Sequence, residues 1–180
     1  MAGAVQPVTP SVRINLVGGF AVFVADDPTP APLPAGKAVT LLALLLVRRG
    51  RPVATDTIVE VLWGAAASAK AEQNVASLVS RLRRVVGRNR IVASGRGYSW
   101  AADPGCQVDL DEAGRLLSEA EADLVAGDAS LASMAASRAL DLLGRGEVLA
   151  DQPPAAWVDD ARREGERLLR RAPGAPPGAA

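Results

Sequence analysis

Along residues 69–86 the large apolar side chains fall at Val75, Leu78, Val79, Leu82, Val85 and Val86, in steps that follow a helical turn. At ~100° per residue they form one stripe of an α-helix. Gln73, Ser77, Ser80, Arg81 and Arg84 then lie on the opposite side. Lys70 and Arg88 extend that polar face at its two ends, Arg83 flanks it, and Gly87 ends the helix. Two further helices precede it. Lys37 to Arg49 is almost wholly apolar and closes on a basic turn followed by Gly50. The next carries Ile58, Val59, Val61, Leu62 and Trp63, with Thr55 as its predicted cap and Gly64 as its stop.

Strand signals flank these helices. Residues 12–25 are rich in β-branched side chains and are interrupted by Gly18-Gly19, which predicts two strands joined by a tight turn. The proline-rich DDPTPAPLP that follows is a loop or edge segment. Ile91-Val92-Ala93 and Tyr98-Ser99-Trp100 bracket Ser94-Gly95-Arg96-Gly97, which reads as a hairpin with Arg96 at its exposed tip. Beyond Asp103-Pro104-Gly105 the pattern becomes wholly helical. Leu110, Ala113, Leu117, Ala120 and Leu124 mark one helix over Asp109 to Ala126. Gly127-Asp128 forms a turn and a cap, and Leu131 to Leu143 forms a second helix. Trp157, Ala161, Leu168 and Ala172 set out a third, and PGAPPGAA at 173–180 is expected to be a disordered tail.

Charge divides the chain along the same line. Residues 37–100 hold eleven Lys and Arg against three acids, a net of +8, residues 101–180 hold eight Arg against fifteen acids, a net of −7, and residues 1–36 supply the remaining −1. A formal net charge of zero over 180 residues therefore hides two units with different partners. The near-absence of acids through the middle segment suits contact with a polyanion.

Enzymatic chemistry finds little footing. With no histidine, the usual general base, the Ser/His/Asp and Cys/His systems and most catalytic zinc sites are excluded. Cys106 is the one cysteine, so it forms neither an internal disulfide nor a thiolate metal cluster. Gly36-Lys37 fails as a phosphate loop, because Ala31 and Ala38 stand where that loop needs glycine and a hydroxyl. The chain is expected to be no enzyme, to need no metal or cofactor, to avoid the membrane and to be cytoplasmic. Trp63 and Trp157 are expected to anchor cores.

Three helices and a hairpin, with the third helix basic on its outer face, form the layout of a winged helix-turn-helix. An α-helix fits the major groove of B-DNA, where outward polar side chains reach base edges. Arg81 is the candidate for a base contact, because its guanidinium pairs with the two acceptors of guanine. Gln73, Ser77 and Ser80 share that face and suit bases or phosphate. Lys70, Arg83, Arg84 and Arg88 suit phosphates, which give affinity without sequence choice. Arg96 suits the narrow minor groove. The bland alternative is a solvated helix face paired to Glu72 or to the acidic half.

The string Asn74-Val75-Ala76-Ser77-Leu78-Val79-Ser80-Arg81-Leu82-Arg83-Arg84-Val85-Val86-Gly87, then Ile91-Val92-Ala93-Ser94-Gly95-Arg96-Gly97-Tyr98, resembles the antibiotic-regulatory-protein (SARP) family of actinobacterial activators. Leu62-Trp63-Gly64 and Leu16-Val17-Gly18-Gly19-Phe20 add to the likeness, as do Val108-Asp109-Leu110-Asp111 and Leu124-Val125-Ala126-Gly127-Asp128. That family joins an OmpR/PhoB-type winged helix to a tetratricopeptide-like transcriptional activator domain. The resemblance implies an α+β fold, with N-terminal antiparallel strands packed on the three helices and a β-hairpin wing. A DNA-binding domain over 1–103 and a partial activator domain over 104–172 follow from it. It implies binding to direct repeats of double-stranded DNA as a homodimer, and activation through RNA polymerase. The alternative is a truncated regulator that acts as a protein-interaction module.

Overall fold

The computed structural model describes residues 11–25, 27–34, 36–101 and 103–172, so the segment 173–180 lies outside the described residues. Two short strands, β1 (Val12–Asn15) and β2 (Ala21–Val24), are followed by helix α1 (Lys37–Val47). Strand β3 (Val53–Ala54), helix α2 (Thr55–Trp63), a single 3₁₀ turn and helix α3 (Ala71–Val86) come next. Strands β4 (Ile91–Ser94), β5 (Gly97–Trp100) and β6 (Cys106–Val108) precede helices α4 (Asp109–Ala126), α5 (Ala129–Leu143) and α6 (Ala156–Arg171). The described residues thus form a mixed α+β protein with six α-helices and two three-stranded sheets, ordered β2-β1-β6 and β3-β5-β4.

The chain forms two compact units, one of Met1–Arg13 and Val22–Gln107 and the other of Ile14–Ala21 and Val108–Ala180. In the first, α1 is the core. Leu41, Leu42, Leu44 and Leu45 are all fully buried, which removes a large apolar area from water and leaves the helix no polar face. Against it stand Ile58 and Leu62 of α2 and the stripe of α3, where Val75, Leu78, Val79, Leu82 and Val86 are buried and Val85 is half-buried. The predicted period of α3 is therefore the observed one.

Two local details differ from expectation. Thr55 does not cap α2. Ala54 holds the capping position without a side-chain bond, and Thr55 is the first helical residue. Arg51-Pro52-Val53 reads from the sequence as a short extended link, whereas Val53–Ala54 forms a strand. Val53 pairs with Tyr98 and Ala54 with Gly97, so the hairpin gains a third strand.

Arg90 ties this unit together in a way no local pattern signals. Its guanidinium donates to the Val86 carbonyl (2.6 Å), to Ser11 Oγ (2.6 Å) and to the Gly105 carbonyl (3.3 Å), and it pairs with Asp103 at 2.8 Å. One cation thereby joins the end of α3, the start of β1 and the turn before β6.

In the second unit α4 and α5 form an antiparallel pair. Asp128 accepts the Leu131 N–H at 3.1 Å as the predicted cap of α5. Leu110, Ala113, Leu116, Leu117 and Ala120 face inward on α4, whereas Leu124, expected on the same stripe, is half exposed. Trp157 is buried at the start of α6, as an anchor should be. Asp109 is also buried, and its carboxylate accepts the backbone N–H groups of Leu16 (2.8 Å), Val17 (3.0 Å) and Leu110 (2.7 Å). Three donors to one carboxylate offset part of the cost of burying its charge. Gly18 belongs to the same knot, because a Cβ there would lie 2.4 Å from the Arg145 carbonyl oxygen.

Candidate nucleic-acid interface

The candidate site grows from the amphipathic division of α3. Its apolar stripe is held against α1 and α2, and this fixes which side chains face outward. Gln73, Ser77, Ser80, Arg81 and Arg84 are all exposed on that outer face, with Lys70 just before the helix and Arg88 just after it. Ser77 Oγ donates to the Gln73 carbonyl at 2.9 Å, so its hydroxyl proton is spent within the helix while its oxygen still accepts. Among the described residues, no hydrogen bond or ion pair engages the side chains of Lys70, Arg81, Arg84, Arg88 or Arg96. Uncompensated cations repel one another, and together they form a field that attracts anions.

Arg83 stands apart from this group. It is half-buried, and its Nε donates to the Ile91 carbonyl at 2.8 Å. The guanidinium thereby fastens α3 to the first residue of β4.

Arg96 sits in the two-residue link between β4 and β5. Gly95 has a positive φ of 58° and Arg96 does not, the pattern of a type II′ hairpin turn. The Arg96 side chain is exposed, whereas its carbonyl accepts two bonds, from Thr55 N (2.9 Å) and from Thr55 Oγ1 (2.8 Å). Close packing sets the base of the turn. A Cβ on Gly97 would stand 2.0 Å from the Val53 carbonyl oxygen, so only glycine lets β3 and β5 approach.

A shallow hollow of about 280 Å³ opens beside Arg81, lined by Lys37, Trp63, Asn74, Ser77, Leu78 and Arg81. Lys37 Nζ donates to the Leu62 carbonyl, and its ammonium lies 5.3 Å from the centre of the Trp63 ring. Trp63 is half-buried and lines the hollow, so it is not the core anchor expected from the sequence. Asn74 and Lys37 also line this hollow, and neither is among the DNA contacts expected from the sequence. Asn74 was within reach of the sequence, because it stands two helical turns before Arg81 on the same face.

Among the described residues, no group of His, Cys, Asp and Glu is placed to hold a metal ion, and no helix is long and apolar enough to cross a membrane.

Comparison with known proteins gives this arrangement its relatives. Residues 33–100 match the family described as "Transcriptional regulatory protein, C terminal". The regulatory protein AfsR of Streptomyces coelicolor is 38% identical over 113 residues, covering 63% of this chain and 11% of the relative. AfsR of Streptomyces griseus is 28% identical over 152 residues, covering 84% of this chain and 15% of the relative. The transcriptional regulatory protein EmbR of Mycobacterium tuberculosis is 32% identical over 133 residues, covering 72% of this chain and 33% of the relative. A solved structure, Mycobacterium tuberculosis EmbR in complex with a low affinity phosphopeptide, matches with a TM-score of 0.77 at 27% identity over 89% of this chain and 43% of that one. The chain spans between 11% and 33% of the length of these curated relatives.

Proposed function

We propose, for a chain whose residues 33–100 are an OmpR/PhoB-type transcriptional-regulator domain and whose homologues include AfsR of the SARP family, that it regulates transcription by reading specific sequences of double-stranded DNA. The proposed DNA-binding part is 1–103, a winged helix-turn-helix in which α3 enters the major groove and the β4–β5 hairpin is the wing. Arg81 reads a base edge, with Gln73 and Ser77 beside it. Ser80 completes that face. Lys70, Arg84 and Arg88 hold phosphates, as does the part of the Arg83 guanidinium left free by its bond to Ile91. Arg96 enters the adjacent minor groove. The partial activator domain, 104–172, is a tetratricopeptide-like segment that contacts RNA polymerase when two copies sit head to tail on direct repeats in the cytoplasm.

One observation carries this reading. The exposed face of α3 holds Arg81 and Arg84 without partners among the described residues, opposite an aliphatic seam in which Val75, Leu78, Val79, Leu82 and Val86 are buried. A face paired to Glu72 would show that pair.

Selection of bound duplexes from a random pool, followed by titration with salt, tests the proposal. The phosphate contacts of Lys70, Arg83, Arg84 and Arg88 set the expected slope of log affinity against log salt at roughly −3 to −4 for each bound copy. An enriched sequence containing a repeat supports it. Flat salt dependence, or equal affinity for every duplex, overturns it.

A second reading, an interaction module, draws on one specific feature. Leu124, Val125, Leu131 and Met134 are exposed where α4 meets α5, and Val125 is 92% accessible. A protein partner retained after loss of residues 37–100 would favour it.

A further inference from the structure

We infer that Thr55 is a positioning residue for Arg96, holding the hairpin tip at a fixed height above α2 so that its arginine meets DNA in one orientation; this rests on the proposed DNA-binding reading. Thr55 lies at the first position of α2, where its backbone N–H has no partner within the helix. That N–H and the side-chain hydroxyl both donate to the Arg96 carbonyl, at 2.9 Å and 2.8 Å. A carbonyl oxygen has two lone pairs, and here one residue occupies both. The peptide plane following Arg96 is therefore fixed against rotation as well as translation.

The rest of the turn offers little other restraint. Gly95 meets nothing within 4 Å of where a Cβ would stand, and Arg96 and its preceding glycine are exposed. A two-residue turn supported only by its own strands would sway, and a long arginine side chain multiplies that sway at its guanidinium. The Thr55 clamp stands on a helix start already fixed by the pairing of Ala54 with Gly97. A hydroxyl placed one residue into the helix gives up the usual capping role and serves the neighbouring hairpin instead.

The experiment compares the full chain with Thr55→Val, Thr55→Ser, Arg96→Ala and the double variant Thr55→Val/Arg96→Ala. Two duplexes carry the same selected major-groove site, one flanked by A·T and the other by G·C at the wing position. Thr55→Val keeps the backbone bond and the side-chain shape, so it should fold. It is expected to bind the A·T-flanked duplex roughly three- to tenfold more weakly, the effect of one lost hydrogen bond. Thr55→Ser restores that affinity, and Thr55→Val adds nothing in the Arg96→Ala background. Amide exchange at Gly97, faster in Thr55→Val than in the parent, reads the same clamp without DNA.

Unchanged duplex affinity and unchanged exchange in Thr55→Val overturn the inference while leaving the DNA-binding reading intact. So does an equal loss on both duplexes that persists without Arg96, which marks Thr55 as a merely structural residue. A parent chain that binds no duplex overturns both.

Discussion

Arg83 donates its Nε hydrogen to the carbonyl of Ile91 at 2.8 Å, so a cation of the helix bearing the site is built into the base of the neighbouring hairpin. Arg84, its immediate neighbour, is exposed and has no partner among the described residues. Adjacent arginines thus hold different posts, and substitution separates them. Arg83→Ala is expected to cost about 1–2 kcal/mol of stability, the range for a charge-assisted bond to a part-buried carbonyl. Arg84→Ala is expected to stay within about 0.5 kcal/mol of the parent. Urea midpoints of the two variants check this, and equal midpoints would show that the bond to Ile91 carries no weight.

On DNA, Arg81 and Arg84 should differ in kind. Arg81→Ala is expected to lose about 1–3 kcal/mol on the preferred duplex and to relax choice at one base pair. Arg84→Ala should weaken every duplex alike and lower the salt slope by about 1. Binding isotherms on single-base variants of the selected site, at three salt concentrations, distinguish the two patterns.

Gly95 and Gly97 offer a second paired comparison. Gly97→Ala forces a Cβ to within 2.0 Å of the Val53 carbonyl oxygen, so β3 must detach from β5. The expected cost exceeds about 2 kcal/mol, in the range of a core clash. Gly95→Ala meets open space and has only its φ of 58° to strain, which costs about 1 kcal/mol. Thermal melts of both variants give the order. A milder effect at 97 than at 95 would contradict the observed approach of the strands.

Asp109 gives a pH dependence with a definite sign. Burial, the largest influence, pushes its carboxyl above the ordinary carboxylate value, against the N–H donors of Leu16, Val17 and Leu110 and the charge of Arg145. A carboxyl raised on folding contributes stability that is complete below its unfolded pKa and lost as pH rises through the folded one. The parent should therefore shed that share of stability on going from about pH 3 upward through the raised value. Asp109→Asn, which does not titrate, should lack that slope and be less stable throughout, because its amide nitrogen would oppose a backbone N–H. Denaturation midpoints between pH 3 and pH 7 test this, and parallel curves for the two proteins would refute it.

The elements most legible in the sequence were those whose burial repeats along the chain. The stripe from Val75 to Val86 needed only its spacing, and Asp128 announced the cap of α5 by standing after Gly127. Val53-Ala54 escaped notice because two residues carry no alternation, and their strand exists only through Tyr98 and Gly97, far along the chain. Thr55 was misplaced for a related reason. Its residue type suits a cap, but its hydroxyl finds an acceptor 41 residues away. Leu124 fitted the periodic face of α4, yet it lies in the last turn of the helix and is half exposed.

Of the candidate site, the residues on α3 were legible because one helical period separates inside from outside. The different posts of Arg83 and Arg84 were not, because a wheel sets Arg84 on the polar face and Arg83 at its edge without showing that the Ile91 carbonyl lies within reach of Arg83. Lys37 and Trp63 come to that hollow from α1 and α2, a meeting that needs the fold itself.

The three N–H groups gathered by the Asp109 carboxylate bear on how the molecule can be dissected. Residues 14–21 occur early in the chain, yet they are wedded to the helical half, with Val17 bridged to Val148 and the Leu149 N–H given to the Leu16 carbonyl. Scissors applied after residue 103 would leave Ile14, Leu16 and Val17 bare, and the liberated fragment would turn sticky. A soluble minimal fragment therefore has to keep the distant helices, or to replace that greasy ribbon with something polar.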